Sequence, residues 1–445
     1  MNSINEKIPF LRVLPDGWKT HRLKEISKVN LSNVDKKSHD GEKVVKLCNY
    51  VDVYYNHTIS DKIDFMIATA SDEQIRKLTL KKDDVILTKD SESPSDIGIP
   101  TWVKEDIPEV VCGYHLALIR PNVNVVTGLY LYYLLYSYGF KEHFWISAKG
   151  VTRFGISKGD IQNIQLLIPP IELQNKITRY LKEKDLLIDK LIKKKENLIM
   201  LLQQQRQSII TEAVTKGLNP NVKMKDSGVE WIGEIPEHWD TKKIKYLIQE
   251  KLLYGANESA ELEDEKLPRY IRITDIDELG NLKNETFKSI PLDIANKYVV
   301  KKGDILLARS GATVGKSYIH KEEKEASYAG YLIKLRARTL ELAEYIYYFT
   351  NSSLYKQWIN SILIQATIQN VSAEKYANLS IPVPNDENEI KSILLNIKFK
   401  EKEILEVINK LKEQIEKLKE YRQSLIYEAV TGKIDVRDME LDEVR

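Results

Sequence analysis

Four polar loops hold the side chains best suited to chemistry. Lys89-Asp90-Ser91-Glu92-Ser93 and Arg309-Ser310-Gly311-Ala312-Thr313 each follow a short apolar run, D-V-I-L and D-I-L-L. Lys149-Gly150-Val151-Thr152-Arg153 and Gln365-Ala366-Thr367-Ile368-Gln369-Asn370 each lie ahead of a later apolar run. What these residue types offer is recognition rather than bond-making. An Arg fork can meet a guanine edge, and Gln or Asn an adenine edge. Lys and the hydroxyls of Ser or Thr hold phosphates. The candidate contacts are Lys89, Ser91, Lys149, Thr152 and Arg153 in the first half, and Arg309, Ser310, Thr313, Thr367, Gln369 and Asn370 in the second. Arg272 in the Tyr270–Ile276 run and Lys316 in the Gly311–Ser317 run join them. The alternative for each is an ordinary solvated turn.

Catalytic constellations are missing. No G-x-G loop is present for a dinucleotide or S-adenosylmethionine. Asn219-Pro220-Asn221 fails the Asn/Asp-Pro-Pro-Tyr/Phe pattern of amino-methyltransferases. Gly311–Ser317 (GATVGKS) is one residue short of a phosphate loop and reads as a sheet turn. The 7 histidines have no metal-site spacing, so no metal and no cofactor is expected. Acid-x-Lys triplets such as Asp35–Lys37 and Glu322–Lys324 arise by accident in a chain that is 30% charged. Neither a nuclease site nor a serine or cysteine nucleophile is expected. A net charge of +2 gives no global nucleic-acid signal, so any such binding falls to local patches.

The loops are placed by a duplication. Arg206–Thr215 (RQSIITEAVT) and Arg422–Thr431 (RQSLIYEAVT) match at 8 of 10 positions. Trp18 answers Trp239, Leu80–Leu87 answers Val300–Leu307, Val45–Val51 loosely answers Ile271–Asp277, and Asn163–Pro169 answers Asn378–Pro384, in the same order. Before Pro169-Pro170 and Pro384 the text alternates β-rich runs with a Tyr-rich helical stretch (Leu129–Tyr138, Leu342–Thr350), which reads as an α+β domain. After the prolines comes a long helix without Gly or Pro. Its apolar seam is Ile177, Leu181, Ile188, Leu191, Leu198 and Leu202 in one copy, and Ile393, Ile397, Ile404, Val407, Leu411 and Leu418 in the other. Gly217 and Gly432 stand as stop signals. A helix of about 40 residues is about 60 Å long. Its seam needs a partner, and the other copy is the obvious one; docking each helix on its own domain is the alternative. Two similar, divergent domains at a fixed separation suit two similar, different targets, and double-stranded DNA presents its faces about every 34 Å.

The remaining bounds are broad. With 445 residues and about 100–200 per domain, two to four domains are expected. The 42% of hydrophobic residues suffice for real cores. No run approaches the about 18 apolar residues of a membrane span, and Met1–Phe10 lacks a signal-peptide core. With 2 cysteines, Cys48 and Cys112, a reducing cytoplasm fits.

Taken together, the opening DGWK and PEHWDTKKIKYL, the Y-I-R-I-T-D-I run, Gly303–Gly311 (GDILLARSG), and the helix endings RQSIITEAVTKG and RQSLIYEAVTGK resemble the DNA-specificity (S) subunit of type I restriction-modification enzymes over the whole chain. The resemblance implies residues 1–170 and 236–385 as target recognition domains, 171–217 and 386–432 as spacer helices pairing antiparallel as a coiled coil, 218–235 as a linker and 433–445 as a tail. It further implies that one domain reads each half of a bipartite site in double-stranded DNA. The helices would set the gap and dock two methyltransferase (M) subunits, and restriction (R) subunits would join them. The methyl donor belongs to M and ATP to R, so this chain is expected to bind no cofactor, catalyse nothing and touch no membrane. Asp83-Asp84 departs from Gly303-Asp304, and Asp90 and Glu92 beside Lys89 weaken a phosphate contact, which favours the second-half loop. The alternatives are an orphan S-like protein and a coiled-coil protein adaptor, the latter marked by weak or no salt dependence of DNA affinity.

Overall fold

In a computed structural model of the protein, residues 15–277, 280–364 and 370–437 are described. The chain divides into two compact units, Met1–Lys194 with Glu413–Arg445, and Lys195–Lys412. Both cuts fall inside the long helices rather than at the proline boundaries, because each domain packs against the start of its own helix and the end of the other.

In the first unit the apolar run Val85–Thr88 becomes an inner strand with all four residues buried. Strands with both faces covered favour such unbroken apolar runs. Its sheet runs Ser27–Leu31, Leu116–Pro121, Val85–Thr88, Pro100–Val103 and Thr58–Ile59. A second sheet runs Met66–Ala70, Lys43–Cys48 and Val110–Cys112. The turn before the inner strand puts Asp83 at φ 68°, where the second unit has Gly303 at φ 87°. The departure noted in the sequence is thus a left-handed position filled by glycine in one copy and by aspartate, which tolerates it, in the other. Asp84 is fully buried. It accepts from Nε of Arg120 at 2.8 Å and Nη2 at 2.7 Å. Gly128–Tyr136 forms the Tyr-rich helix, and its Tyr130 and Leu131 share a core with Leu425, Ile426, Ala429 and Val430 from the far end of the chain.

The second unit repeats this plan with a smaller sheet, Leu253–Tyr254, Leu332–Leu335, Ile305–Ala308 and Ser317–Ile319. Asp304 accepts from Nε of Arg336 at 2.7 Å and Nη2 at 2.6 Å. The Tyr-rich helix is Leu340–Thr350. One element of the repeat shifts. Asp52 caps Asn49 at 2.7 Å as Asp275 caps Arg272 at 2.8 Å, so the loose match of Val45–Val51 to Ile271–Asp277 is out by three residues. Residues 218–235 are not a free linker: Met224–Asp226 pairs with Glu234–Pro236, and Ile232 and Ile235 are buried in the domain core.

The helices span Ile171–Lys216, 46 residues, and Glu387–Val430, 44 residues. The second is capped at its start by Asp386, whose Oδ1 accepts from Asn388 N at 2.9 Å. Gly217 and Gly432 follow the ends at φ 75° and 71°. In the first unit Arg422 is bonded to Asp189 and Lys176 Nζ donates to Arg437 O, and in the second Arg206 is bonded to Glu401 while Glu389 lies beside Gly217, so the helices run antiparallel in each. Ile177, Leu181, Ile188, Ile393, Ile397, Ile404 and Leu411 are buried, while Leu202 and Leu418 are half-buried. Leu191, Leu198 and Val407 leave the seam: they are 46, 43 and 43% exposed. On the second helix the buried line steps from Ile404 to Ile408, Leu411 and Ile415. Those steps of four, three and four keep the heptad, with its second position one residue later than the sequence placed it, and the half-buried Ile192 and Ile199 do the same on the first helix. The first turns also obey the alternative reading, since Ile177 and Leu181 join the core of their own domain, as do Ile393 and Ile397. Among the described residues no helix is long and apolar enough to cross a membrane.

Candidate nucleic-acid interface

In the first unit three segments far apart in sequence converge at one sheet edge. Lys89 N donates to His115 O at 3.0 Å, and Ile156 N donates to Lys89 O at 2.9 Å. Asp90–Ser91 pairs with Phe154–Gly155, and Lys149 bridges Gly155. The loops at 89–93 and 149–153 singled out in the sequence are therefore neighbours, joined by a third at 113–115. Asp90 is the hub. Its Oδ2 accepts from Lys89 Nζ at 2.8 Å, and its Oδ1 lies 2.5 Å from His115 Nδ1 and 2.8 Å from Arg153 Nη2. Burial pushes the Asp90 carboxyl up, yet the bonds and charges of Lys89 and His115 outweigh it and hold the group below the usual carboxylate range.

The candidates separate by exposure. Lys89 is only 13% exposed, occupied by Asp90 and lying 4.6 Å over the Tyr114 ring. Its charge is spent inside the protein. Ser91 is half-buried and accepts from Tyr50 OH at 3.4 Å. Lys149 and Thr152 are exposed, and the Arg153 side chain is 55% exposed with one end held by Asp90.

The second unit builds the same edge from different side chains. Arg309 N donates to Tyr331 O at 3.0 Å, Val371 N donates to Arg309 O at 2.8 Å, and Ser310 bridges Asn370. The Arg309 guanidinium lies 4.7 Å over the Tyr254 ring. Arg309 Nε and Asn370 Oδ1 are both buried with no hydrogen-bond partner among the described residues. Thr313 lies in the half-buried turn after Ser310, and Lys316 Nζ donates to Ile276 O at 2.7 Å. The segment Gly311–Ser317 is a turn leading into the strand Ser317–Ile319, as the sequence suggested. Arg272 is spent on the scaffold: Nη2 donates to Asp275 Oδ1 at 2.6 Å and to Thr286 O at 2.9 Å. Thr367 and Gln369 lie outside the described residues.

Two features escaped the sequence reading. The third loop carries Tyr114, 49% exposed, and its counterpart carries Tyr331, 66% exposed. The repeated dipeptides Gly113-Tyr114 and Gly330-Tyr331 were the available signal. Secondly, Gly155–Gly159 spells G-x-S-x-G, the spacing of a serine nucleophile elbow. Ser157 does not act as one: it has φ −76° and caps a short helix, its Oγ donating to Asp160 Oδ2 at 2.6 Å and accepting from Asp160 N at 3.1 Å.

Comparison with known proteins agrees with this duplicated layout. The family model described as the type I restriction modification DNA specificity domain matches twice, over residues 15–201 and 236–425. The MjaVIII type I restriction enzyme specificity subunit of Methanocaldococcus jannaschii is 29% identical over 320 residues, 69% of this chain and 71% of that protein. A putative type I restriction enzyme MjaX specificity subunit from the same organism is 26% identical over 95% of both chains. In fold, the chain is similar to one from a solved structure on complex assembly and conformational transition of the type I R-M system. Their TM-score is 0.68 at 15% identity, over 95% of this chain and 100% of that one.

Proposed function

Because the chain belongs to the type I restriction-modification DNA specificity family, we propose that it reads a bipartite sequence in double-stranded DNA, one domain per half-site, and performs no chemistry itself. The observation that carries this reading is the edge built twice on one scaffold: equivalent backbone bonds at Lys89 and Arg309, with unlike side chains around them. Lys149, Thr152 and Arg153 contact one half-site. Arg309, Ser310, Thr313 and Asn370, with Thr367 and Gln369, contact the other. Lys89, Ser91, Arg272 and Lys316 shape the edge through their internal bonds, and Tyr114 and Tyr331 offer rings to the DNA backbone and bases. The exposed helix residues Leu191, Leu198 and Val407 meet the methyltransferase subunits, of which two dock, and restriction subunits join that core. The assembly works in the cytoplasm, with methyl donor and ATP held by the partners.

The test is the methylome of the source cell with and without this gene. Loss of one bipartite methylated sequence on deletion is the expected result. An unchanged methylome, together with no methyltransferase copurifying with the tagged chain, would refute it.

A further inference from the structure

The duplicated R-Q-S segment has no role in the reading edge, yet its arginine occupies the same joint in both units. In the first, Tyr133 OH donates to Asp185 Oδ2 at 2.9 Å, and Arg422 Nε lies 3.7 Å from Asp185 Oδ1 while its Nη2 bonds Asp189. In the second, Tyr348 OH donates to Glu401 Oε2 at 3.0 Å, and Arg206 Nε donates to Glu401 Oε1 at 2.7 Å. Asp185 and Glu401 are 216 positions apart, as are Arg206 and Arg422. The joint is thus a repeated part. It is sheltered: the Arg and carboxylate side chains facing Tyr133 and Tyr348 are between 15 and 26% exposed.

The geometry explains what such a joint does. Each domain runs into its own helix after Pro169-Pro170 or Pro384 and packs its core on the start of that helix and the end of the other, but apolar packing is without direction, whereas a hydrogen bond fixes an angle. A second tyrosine, one helical turn earlier and on the same face, reaches the end of the other helix. Tyr130 OH lies 3.2 Å from Val430 O, and Tyr345 OH 2.9 Å from Val214 O. The outer tyrosine holds the carboxylate on the domain's own helix, and the arginine ties that helix to the opposite one, through Glu401 itself in the second unit and through Asp189, four residues after Asp185, in the first. Each domain is therefore braced against both helices. An arginine fork suits this because its separate nitrogens can converge on one carboxylate, as Nε and Nη2 do at Glu401, or face two, as they do at Asp185 and Asp189, which a lysine's single ammonium does less well.

We propose that Arg206 and Arg422 are positioning residues that fix the rotation of each recognition domain on the helix pair, so that a single gap between half-sites is accepted. Moving a half-site by one base pair shifts it by about 3.4 Å and turns it by about 34°. A braced domain does not follow such a shift, whereas one free to rock does. This rests on the DNA-reading function proposed above.

The experiment uses the full chain in cells carrying its complete modification system. The readout is methylation at sites whose gap is one base pair longer or shorter, divided by methylation at the preferred gap. Arg206→Met and Arg422→Met are each expected to raise that ratio at least tenfold, with Arg→Lys falling between. Tyr133→Phe and Tyr348→Phe, which remove only a hydroxyl, are expected to raise it in the same direction. They carry the test if a methionine variant fails to fold. A ratio within twofold of wild type in the tyrosine variants and in every arginine variant that still methylates overturns the bracing role while leaving DNA reading intact. Absence of any bipartite methylated site in the wild type overturns the DNA reading, and the bracing role with it.

Discussion

Ending the chain after Lys412 is expected to unfold the first unit and spare the second. The removed segment is not an appendage. It contributes Leu425, Ile426, Val430 and Val436 to the first core, at 4, 1, 0 and 4% exposure. At about 1.5–3 kcal/mol for each fully buried aliphatic side chain, their loss costs about 6–12 kcal/mol as an upper bound. Whole-domain stability is about 5–15 kcal/mol, so the deletion removes most or all of it. It also leaves Tyr130 OH without Val430 O and exposes the Trp18 ring that Gly432 covers. The second unit, Lys195–Lys412, is continuous and keeps its core. Hydrogen-exchange mass spectrometry on the truncated and full chains separates the two. Peptides from 15–194 should exchange as an unfolded chain while those from 235–385 keep their protection. Adding a peptide covering 413–437 should restore part of the lost protection. Undiminished protection in 15–194 after truncation would refute the placement of the C-terminal helix end in that core.

Two further outcomes follow from the reading edge. Arg153→Ala should weaken binding to a cognate duplex and lower the salt slope of log affinity by about 1; a slope and affinity equal to wild type in a fluorescence titration would remove Arg153 from the contact. The Asp90 carboxyl is held below its ordinary range, so its contribution to stability is fully present above the ordinary carboxylate range and is lost as pH falls through the lowered value. Asp90→Asn should therefore lower the melting temperature of the first unit at pH 7 by a few degrees and shrink that difference towards pH 3, and a difference independent of pH would contradict the hub.

The duplication and the helices were legible in the sequence because they rest on spacing that survives divergence. Val85–Leu87 and Ile305–Leu307 form inner strands as their unbroken apolar runs required. The meeting of loops 89–93 and 149–153 was legible only in part, since the repeat showed that the loops correspond but not that the pairing of Asp90–Ser91 with Phe154–Gly155 joins them. The spent charges were not legible. Arg272 and Lys89 look free in sequence, and only the fold supplies Asp275 to one and the Tyr114 ring to the other. The seam failed at Leu191, Leu198 and Val407 because each stands beside a second apolar residue, Ile192, Ile199 or Ile408, and spacing alone does not say which of two neighbours faces the partner helix.

The parts that stay alike between the halves and the parts that differ have different physics. Alike are the buried ion pairs of Asp84 with Arg120 and Asp304 with Arg336, and the tyrosine hydroxyls of Tyr130 and Tyr345. Breaking one member of a buried pair costs about 3–5 kcal/mol because a charge is left unmatched, so such positions resist change one residue at a time. The edge is built otherwise. Its shape comes from backbone bonds at Lys89 and Arg309, which any residue with a main-chain N–H can make. The first unit can therefore place a carboxylate hub at Asp90 where the second places Ser310, without altering the strands that carry them. Around Asp90 one negative charge already engages Lys89, His115 and Arg153, so the first edge carries less free positive charge than its side chains suggest. Under the proposed reading, such an edge leans more on directional contacts from Arg153 and Tyr114 than on charge. A protein whose backbone fixes the edge while its side chains set the charge can change what each half recognises without changing how either half folds.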